Sequence, residues 1–214
     1  MDKYRREREQ MVKYQIEDRG VKDARVLDAM RTVPRHLFLP EGDRPYAYRD
    51  SPIRIGSGQT ISQPYIVALM TELLDVAPDH HVLDVGTGSG YQAAILGELA
   101  AEVHSIERHP ELAERAQRNL GALGYTNVYV HVGDGTLGYP PDAPYDRIIV
   151  AASAPKIPDP LLKQLADGGR LVIPIGSRFS QHLEVWNRQG KKYKKTYSIP
   201  VVFVPLIGEA GWEE

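Results

Sequence analysis

The sequence predicts an α/β fold: a mainly parallel, doubly wound sheet with helices on both faces and an antiparallel edge at its C-terminal end. Three observations support this. Strand and helix patterns alternate from Pro64 onward, a glycine-rich turn follows the first of these strands, and strands without intervening helices follow Gly176. The chain has 214 residues, and domains cluster at roughly 100 to 200 residues. We therefore expect one domain over 1–214, with a helical N-terminal elaboration and loop over 1–60 and the sheet-bearing core over 61–214.

Composition and charge exclude several classes of function. The formal net charge is −2, from 26 Lys+Arg against 28 Asp+Glu, which gives no general attraction to a polyanion and disfavours a nucleic-acid substrate without excluding it. The sequence contains no cysteine, which excludes disulfides, thiolate metal ligands and a thiol nucleophile. The charged first residues do not fit a signal peptide, and no apolar run is long enough to span a bilayer. We therefore expect a cytoplasmic protein with no membrane partner.

The N-terminal part shows two short helical patterns over about 2–31, separated at Gly20. Prolines then end regular structure, and a loop-like stretch runs through 46–58. Long ordered loops in compact domains are often functional. We expect this loop to form part of a site or a lid, and we expect an extended substrate segment to lie across the region 46–63.

The core pattern gives each remaining element in order. Helices are expected at 64–74, 91–99, 111–120 and 161–165. Parallel strands are expected at 81–85, 102–106, 128–132, 147–150 and 170–174, followed by antiparallel strands at 182–187, 192–198 and 201–204. The basic run 191–195 falls at a hairpin between two of these strands, which favours a solvated tip over an RNA contact.

A glycine-rich turn connects the first core strand to the following helix. The segment Asp84-Val85-Gly86-Thr87-Gly88-Ser89-Gly90 places glycines at alternate positions, which permits a tight turn and close approach of a ligand to the backbone. A nucleotide-like ligand is indicated. The spacing differs from the G-x-G-x-x-G dinucleotide fingerprint, so no pyrophosphate site is predicted, and the triplet alone is equally compatible with a structural turn.

Acidic residues close the next two strands. Glu107 ends one strand, where a carboxylate can accept hydrogen bonds from both hydroxyls of a ribose. Asp134, followed by Gly135, comes directly after the next strand, and we expect adenine as its partner. Each acid alone also fits a solvated strand end or a turn. Three such features on consecutive strands favour a common adenosine site.

This arrangement resembles the Rossmann-like class I S-adenosylmethionine-dependent methyltransferases. Further segments are similar to protein-L-isoaspartate O-methyltransferases, and the similarity runs from about residue 11 to about residue 207. The most specific of them is Gly58-Gln59-Thr60-Ile61-Ser62-Gln63-Pro64; others are Val33-Pro34-Arg35-His36 and Phe203-Val204-Pro205-Leu206.

The resemblance implies methyl transfer from S-adenosylmethionine, with S-adenosylhomocysteine as product, to the free carboxylate of L-isoaspartyl residues in damaged proteins and peptides. The methyl ester then cyclises without the enzyme, which begins repair. It implies Ser62 as the active-site residue beside the acceptor. The implied cofactor contacts are Asp84, Gly86, Thr87, Gly88, Ser89, Gly90, Glu107, Asp134 and Gly135, and the implied substrate contacts are Thr60, Ile61, Gln63, Pro64, Val150 and Ala151.

Other interpretations stay open at this point. Thr60 and Ser62 could be turn or capping hydroxyls ahead of a helix that starts at Pro64. A methyltransferase acting on RNA or a small molecule would share the glycine turn and Glu107, although the Asn-Pro-Pro-Tyr motif of base methylation is missing. A nicotinamide-dependent oxidoreductase or a noncatalytic nucleotide-binding module is the more distant alternative. The adjacent histidines His80-His81 would point to opposite strand faces, so we expect no metal site, and we expect a monomer.

Overall fold

The structure is a computed structural model that describes residues 3–213, apart from the side chains of residues 197 and 198. Its N-terminal part begins with helix α1 (Lys3–Gln10), which continues through a π-helical turn (Met11–Ile16) and a 3₁₀ turn (Glu17–Arg19). Gly20, with a φ of 103°, ends this continuous segment, and α2 (Ala24–Thr32) follows. The prediction of two helices separated at Gly20 is confirmed over the described residues.

The prediction of a loop over 46–58 is wrong for its second half, which belongs to a β-hairpin. After two 3₁₀ turns (Arg35–Phe38 and Glu41–Tyr46), strands β1 (Ile53–Gly56) and β2 (Gln59–Ile61) pair as an antiparallel hairpin. Ser57 and Gly58 form its turn with φ values of 50° and 71°, the geometry of a tight two-residue hairpin loop. The strands are only four and three residues long, so the alternation of Ile53 and Ile55 is too short to predict a strand.

The core is the predicted doubly wound sheet. Four helices alternate with five strands in this core. The helices are α3 (Pro64–Leu74), α4 (Tyr91–Gly97), α5 (Pro110–Ala122) and α6 (Asp159–Gln164). The strands are β3 (His81–Val85), β4 (Glu102–Glu107), β5 (Val128–Val132), β6 (Tyr145–Val150) and β7 (Leu165–Gly176). Strands β8 (Gln181–Gln189) and β9 (Lys192–Val201) complete the sheet. The order is β5-β4-β3-β6-β7-β8-β9, in which the first five strands are parallel and the last two antiparallel.

The prediction of a separate strand at 201–204 is also wrong. Val201 is the last residue of β9, and the chain then turns back over the end of β6, where Ser153 N–H donates to the carbonyl of Val204 at 2.8 Å. The basic run 191–195 begins in the predicted hairpin and continues as exposed residues of β9. Between residues 3 and 213, no helix combines the length and the apolarity needed to cross a membrane.

Two apolar cores cover the two faces of the sheet. The larger one joins the N-terminal helices, α3 and α4 to one face, with Met30, Met70 and Ile95 fully buried or nearly so. The smaller one joins α6 to the other face through residues such as Leu83 and Leu161. Because the N-terminal part packs into the larger core, its 3₁₀ turns and hairpin are held at the edge of the sheet where the parallel strands end.

Gly97 allows α4 to approach β5 closely, and we expect Gly97→Ala to destabilise the fold. A Cβ at this position would lie 2.8 Å from Val128 Cγ2 and 3.1 Å from the Tyr125 ring. Overpacking of this kind costs about 1–3 kcal/mol in the free energy of unfolding. Gly121→Ala is the matched control, since it is helical with nothing within 4 Å and should gain up to about 1 kcal/mol. Urea denaturation of both variants measures the difference; equal stabilities would contradict the close approach.

Candidate functional site

A cavity lies at the carboxyl ends of the parallel strands, between the glycine-rich turn and the N-terminal hairpin. Its lining includes the turn residues 86–89, Glu107 at the end of β4, residues 59–62 from β2 and the residues after it, and residues 204–207 after β9. Open α/β sheets bind their ligands at this edge. The fold therefore brings together most of the residues that the sequence assigned to one site.

The glycine turn has the backbone geometry that the sequence predicted. Gly86, Gly88 and Gly90 have φ values of 97°, 53° and 89°, which side-chain-bearing residues rarely adopt. The N–H of Gly86 donates to the carbonyl of Ile106 at 2.9 Å, which joins the turn to β4. Gly90 is not among the cavity-lining residues: a Cβ there would lie 3.2 Å from Ala116 Cβ, so this glycine lets α4 pack against α5.

Glu107 is buried at the rim of the turn, with 5% of its surface exposed. Its Oε2 accepts the N–H of Gly88 at 2.8 Å and its Oε1 accepts the N–H of His109 at 3.0 Å. A carboxylate offers about four acceptor positions, so both oxygens can accept a further hydrogen bond. The side chain thus holds the turn in place and can still bind a diol in the cavity.

Asp84 lies beneath the cavity and does not line it. The carboxylate is fully buried, and its Oδ2 accepts a hydrogen bond from Ser105 Oγ at 2.7 Å. Ser105 Oγ in turn lies 2.6 Å from the hydroxyl of Thr87, which does line the cavity. Burial, with a smaller effect of the nearby Glu107 charge, raises the pKa of Asp84 to about 7 against the opposing effect of the Ser105 hydrogen bond. Asp84 therefore reaches the cavity only through two hydroxyls.

Asp134 is also outside the cavity lining, although Gly135 is part of it. Its Oδ1 accepts the N–H and the hydroxyl of Thr136, at 2.8 and 2.7 Å, and so caps the 3₁₀ turn Gly135–Leu137. Its Oδ2 accepts the N–H of Glu209 at 2.8 Å. The carboxylate thus fixes the segment after residue 207, and its expected contact with adenine stays a prediction.

A second cavity adjoins the first on the side of β9. It is lined by Gln63, Ile66, Phe203 and others, and shares four residues with the first cavity: Thr60, Ser62, Ala151 and Val204. Of the other predicted substrate residues, Ile61 lines the first cavity, Pro64 is the buried first residue of α3, and Val150 is the buried last residue of β6. Ser62 therefore stands in the wall between the two cavities.

The position of Ser62 is fixed by Arg35, a residue to which the sequence assigned no role. Arg35 is fully buried; its Nη2 donates to the carbonyl of Ser62 at 2.7 Å and its Nε to the carbonyl of Ala47 at 2.8 Å. Its Cζ lies 4.8 Å from the centroid of the Tyr91 ring. Burial lowers the pKa of Arg35 to about 10, so the guanidinium stays charged at neutral pH.

The alternative of a helix cap does not fit the structure. Gln63 occupies the position before α3, and its side chain makes no capping hydrogen bond. Neither Thr60 nor Ser62 is at that position, and both line the cavities. Two groups of cavity-lining residues were not predicted from the sequence: His109 after β4, and residues 204–207, of which Val204 was assigned to a strand. The similarity at Phe203-Val204-Pro205-Leu206 was the available signal for residues 204–207.

Comparison with known proteins agrees with this arrangement. The family described as protein-L-isoaspartate(D-aspartate) O-methyltransferase matches residues 6–211. A protein-L-isoaspartate O-methyltransferase of Methanoculleus marisnigri is 56% identical over 216 residues, covering 99% of this chain and 96% of the relative. The protein-L-isoaspartate O-methyltransferase 1 of Syntrophobacter fumaroxidans is 53% identical over 213 residues, covering 100% of both chains.

Two solved structures with the same fold are also described as protein-L-isoaspartate O-methyltransferases. A protein-L-isoaspartate O-methyltransferase with 30% identity has a TM-score of 0.87, covering 95% of this chain and 67% of that one. A Plasmodium falciparum protein described as a putative protein-L-isoaspartate O-methyltransferase was solved in complex with S-adenosyl-L-homocysteine. It is 26% identical and has a TM-score of 0.81, covering 94% of this chain and 98% of that one. The predicted Rossmann-like methyltransferase fold and the sequence resemblance are both confirmed, and the chain belongs to the protein-L-isoaspartate(D-aspartate) O-methyltransferase family.

Proposed function

We propose that this protein transfers a methyl group from S-adenosylmethionine to the free carboxylate of L-isoaspartyl residues in damaged proteins and peptides. One observation carries the proposal: two cavities meet at a wall that contains Ser62, so a donor and an acceptor can be held on either side of one hydroxyl. Family membership favours this reaction over methylation of RNA or a small molecule and over nicotinamide chemistry.

The first cavity fits the donor. Glu107 retains acceptor positions for the two ribose hydroxyls, and Gly86 and Gly88 keep side chains out of the turn that faces the cavity. We assign Gly86–Ser89, Glu107 and Gly135 to donor binding, with Asp84 supporting Thr87 through Ser105. When bound, S-adenosylmethionine supplies an electrophilic methyl group on a positively charged sulfur.

The acceptor needs no base from the protein. Its carboxylate has a reference pKa near 3.9 and is ionised at neutral pH, so the nucleophile is already present. The Ser62 hydroxyl can donate one hydrogen bond to a carboxylate oxygen. That bond weakens as the carboxylate loses its charge, so Ser62 orients the acceptor rather than stabilising the transition state.

The second cavity is the candidate site for the isoaspartyl segment. It lies against the predicted substrate-side region through Pro52 and Gln63, and on its other side are Val202 and Phe203. Val202 is 77% exposed, so it offers an accessible apolar contact to an extended peptide. Thr60 and Ala151, in the shared wall, would contact both reactants. A single domain over 1–214, the lack of nucleic-acid and membrane partners, and a monomeric state stay predictions.

The reaction is tested with a pair of peptides that differ only in an isoaspartyl or a normal aspartyl linkage. With tritiated S-adenosylmethionine, we expect base-labile label on the isoaspartyl peptide alone. Label on both peptides, or on neither while a nucleic acid is methylated, would overturn the proposed acceptor. Tight binding of NAD without affinity for S-adenosylhomocysteine would overturn the proposed donor.

We expect Ser62→Ala to lower kcat on the isoaspartyl peptide by roughly ten- to a hundredfold, because misplacement of a reacting group by about 1 Å costs up to this much. Affinity for S-adenosylhomocysteine, measured by calorimetry, should change less than twofold. Thr126→Ala is the control, since this threonine is exposed and is not among the lining residues of either cavity. Wild-type turnover in Ser62→Ala would remove Ser62 from the site.

Glu107→Gln should weaken binding of S-adenosylhomocysteine by about tenfold or more. Hydrogen bonds to a charged group contribute roughly 1.5–3 kcal/mol, and the amide replaces one accepting oxygen with a donor that opposes a backbone N–H. The exposed Glu114 of α5, paired with Arg118 at 3.7 Å, provides the control variant Glu114→Gln. Calorimetric titration of both variants should separate them, and equal affinities would contradict the role of Glu107.

Arg35→Lys tests whether the buried guanidinium positions Ser62. A single ammonium cannot hold the carbonyls of both Ala47 and Ser62 in the fork geometry of arginine. We expect kcat/KM on the isoaspartyl peptide to fall tenfold or more while affinity for S-adenosylhomocysteine changes less than twofold. The exposed Arg54 gives the control Arg54→Lys. A parallel loss of donor binding would instead indicate a general effect on folding.

A further inference from the structure

Two histidines and an aspartate converge on the sheet face that carries the smaller core. His104 lies in β4, His131 in β5, and Asp142 in the 3₁₀ turn Pro140–Asp142 that precedes β6. The parallel register pairs His104 with Tyr129 and Ile106 with His131, so both histidines point to the same face on neighbouring strands. The 3₁₀ turn then brings Asp142 over this pair.

The three potential ligand atoms have the spacing of a metal site. His104 Nδ1 lies 3.0 Å from His131 Nε2 and 3.3 Å from Asp142 Oδ2, and all three atoms lie within 4.8 Å of one another. Two ligands of a tetrahedral zinc ion, each about 2.0–2.2 Å from the metal, are separated by about 3.3–3.6 Å. An ion could therefore be bound with small side-chain adjustments.

A carboxylate holds His104 in the orientation that a metal ligand requires. Glu102 Oε1 lies 2.6 Å from His104 Nε2, on the opposite side of the ring from the cluster. A proton on Nε2 shared with this carboxylate leaves the lone pair of Nδ1 directed at His131 and Asp142. Histidines that bind zinc almost always donate their second N–H to a carboxylate, a carbonyl or water, which fixes the tautomer and increases the basicity of the ligand.

Aromatic rings orient the two imidazoles, and the cluster has access to solvent. The His131 ring stacks on Tyr139 with a centroid distance of 3.7 Å, and Tyr129 and Tyr145 flank His104 at 5.3 and 6.0 Å. The Asp142 side chain is 43% exposed, which leaves an entry path and room for a water ligand.

We propose that His104 Nδ1, His131 Nε2 and Asp142 Oδ2 bind a zinc ion, with Glu102 as the outer partner of His104 and water as the fourth ligand. Two imidazoles and a carboxylate form a donor set that suits zinc, and none of the three residues lines either cavity. The ion would tie the segment before β6 to β4 and β5, so its role is structural and methyl transfer does not require it. The sequence reading expected no metal site.

Metal binding is tested on the untagged full-length protein after treatment with EDTA. We expect one equivalent of Zn²⁺ to bind in calorimetry and to raise the Tm. One equivalent of Co²⁺ should produce the intense visible absorption bands of a four-coordinate site, displaced by Zn²⁺. No binding at one equivalent would overturn the proposal, as would Co²⁺ bands of the weak six-coordinate type.

Variants locate the ion. His131→Gln and Asp142→Asn should abolish the visible Co²⁺ bands, and Glu102→Gln should weaken Zn²⁺ affinity by roughly 10- to 100-fold, as loss of an outer partner does. His81→Gln, which removes an exposed histidine at the start of β3, should bind like the wild type. Far-UV circular dichroism and S-adenosylhomocysteine binding identify variants that fold. Undiminished binding in folded His131→Gln and Asp142→Asn would place the ion elsewhere and overturn the proposal.

Discussion

The site depends on the buried carboxylate of Glu107, which ties the glycine turn to the end of the neighbouring strand. Its two oxygens accept the N–H groups of Gly88 and His109, so the turn after β3 and the backbone after β4 are held by one side chain. The turn can make this approach because its glycines adopt positive φ values. A charged group that is already fixed by the backbone needs no reorganisation when a ligand arrives, which favours tight and oriented binding.

The N-terminal part supplies residues 59–63 to the proposed acceptor side of the site, and the buried side chain of Arg35 joins this part to the rest of the fold. Arg35 spans two carbonyls that lie 15 positions apart in the chain, those of Ala47 and Ser62, and rests on the ring of Tyr91 at the start of α4. Hydrogen bonds from a charged donor are stronger than neutral ones, and a buried guanidinium without them would be costly. The backbone of Ser62, whose hydroxyl we propose to orient the acceptor, is therefore held by a buried side chain from a distant part of the sequence.

Much of the core could be predicted because local and tertiary preferences agree there. The bounds of α3, β3 and β5 match the sequence prediction at both ends, since apolar runs are bounded by Pro64, by the glycine turn and by Gly133. The hairpin at 53–61 could not be predicted in the same way. Its strands are four and three residues long, which is too short for a recognisable periodicity, so strand pairing and a positive-φ turn decide the structure.

The roles of charged residues at strand ends and turns were the hardest to predict, because a carboxylate can accept hydrogen bonds either from a ligand or from a backbone amide. Glu107 ends β4 and Asp134 comes two residues after the neighbouring strand β5, yet Glu107 lines the cavity whereas Asp134 holds Thr136 and Glu209. The difference arises from the chain after residue 207, which folds back onto Asp134 and is remote from it in sequence. The roles of Arg35 and His104 were equally hard to predict from the sequence. Each residue contacts a partner in another element, Ser62 and His131 respectively, and only the folded chain brings each pair together. Sequence thus identifies which strand ends carry acids, and tertiary contacts decide which of them remain available to a ligand.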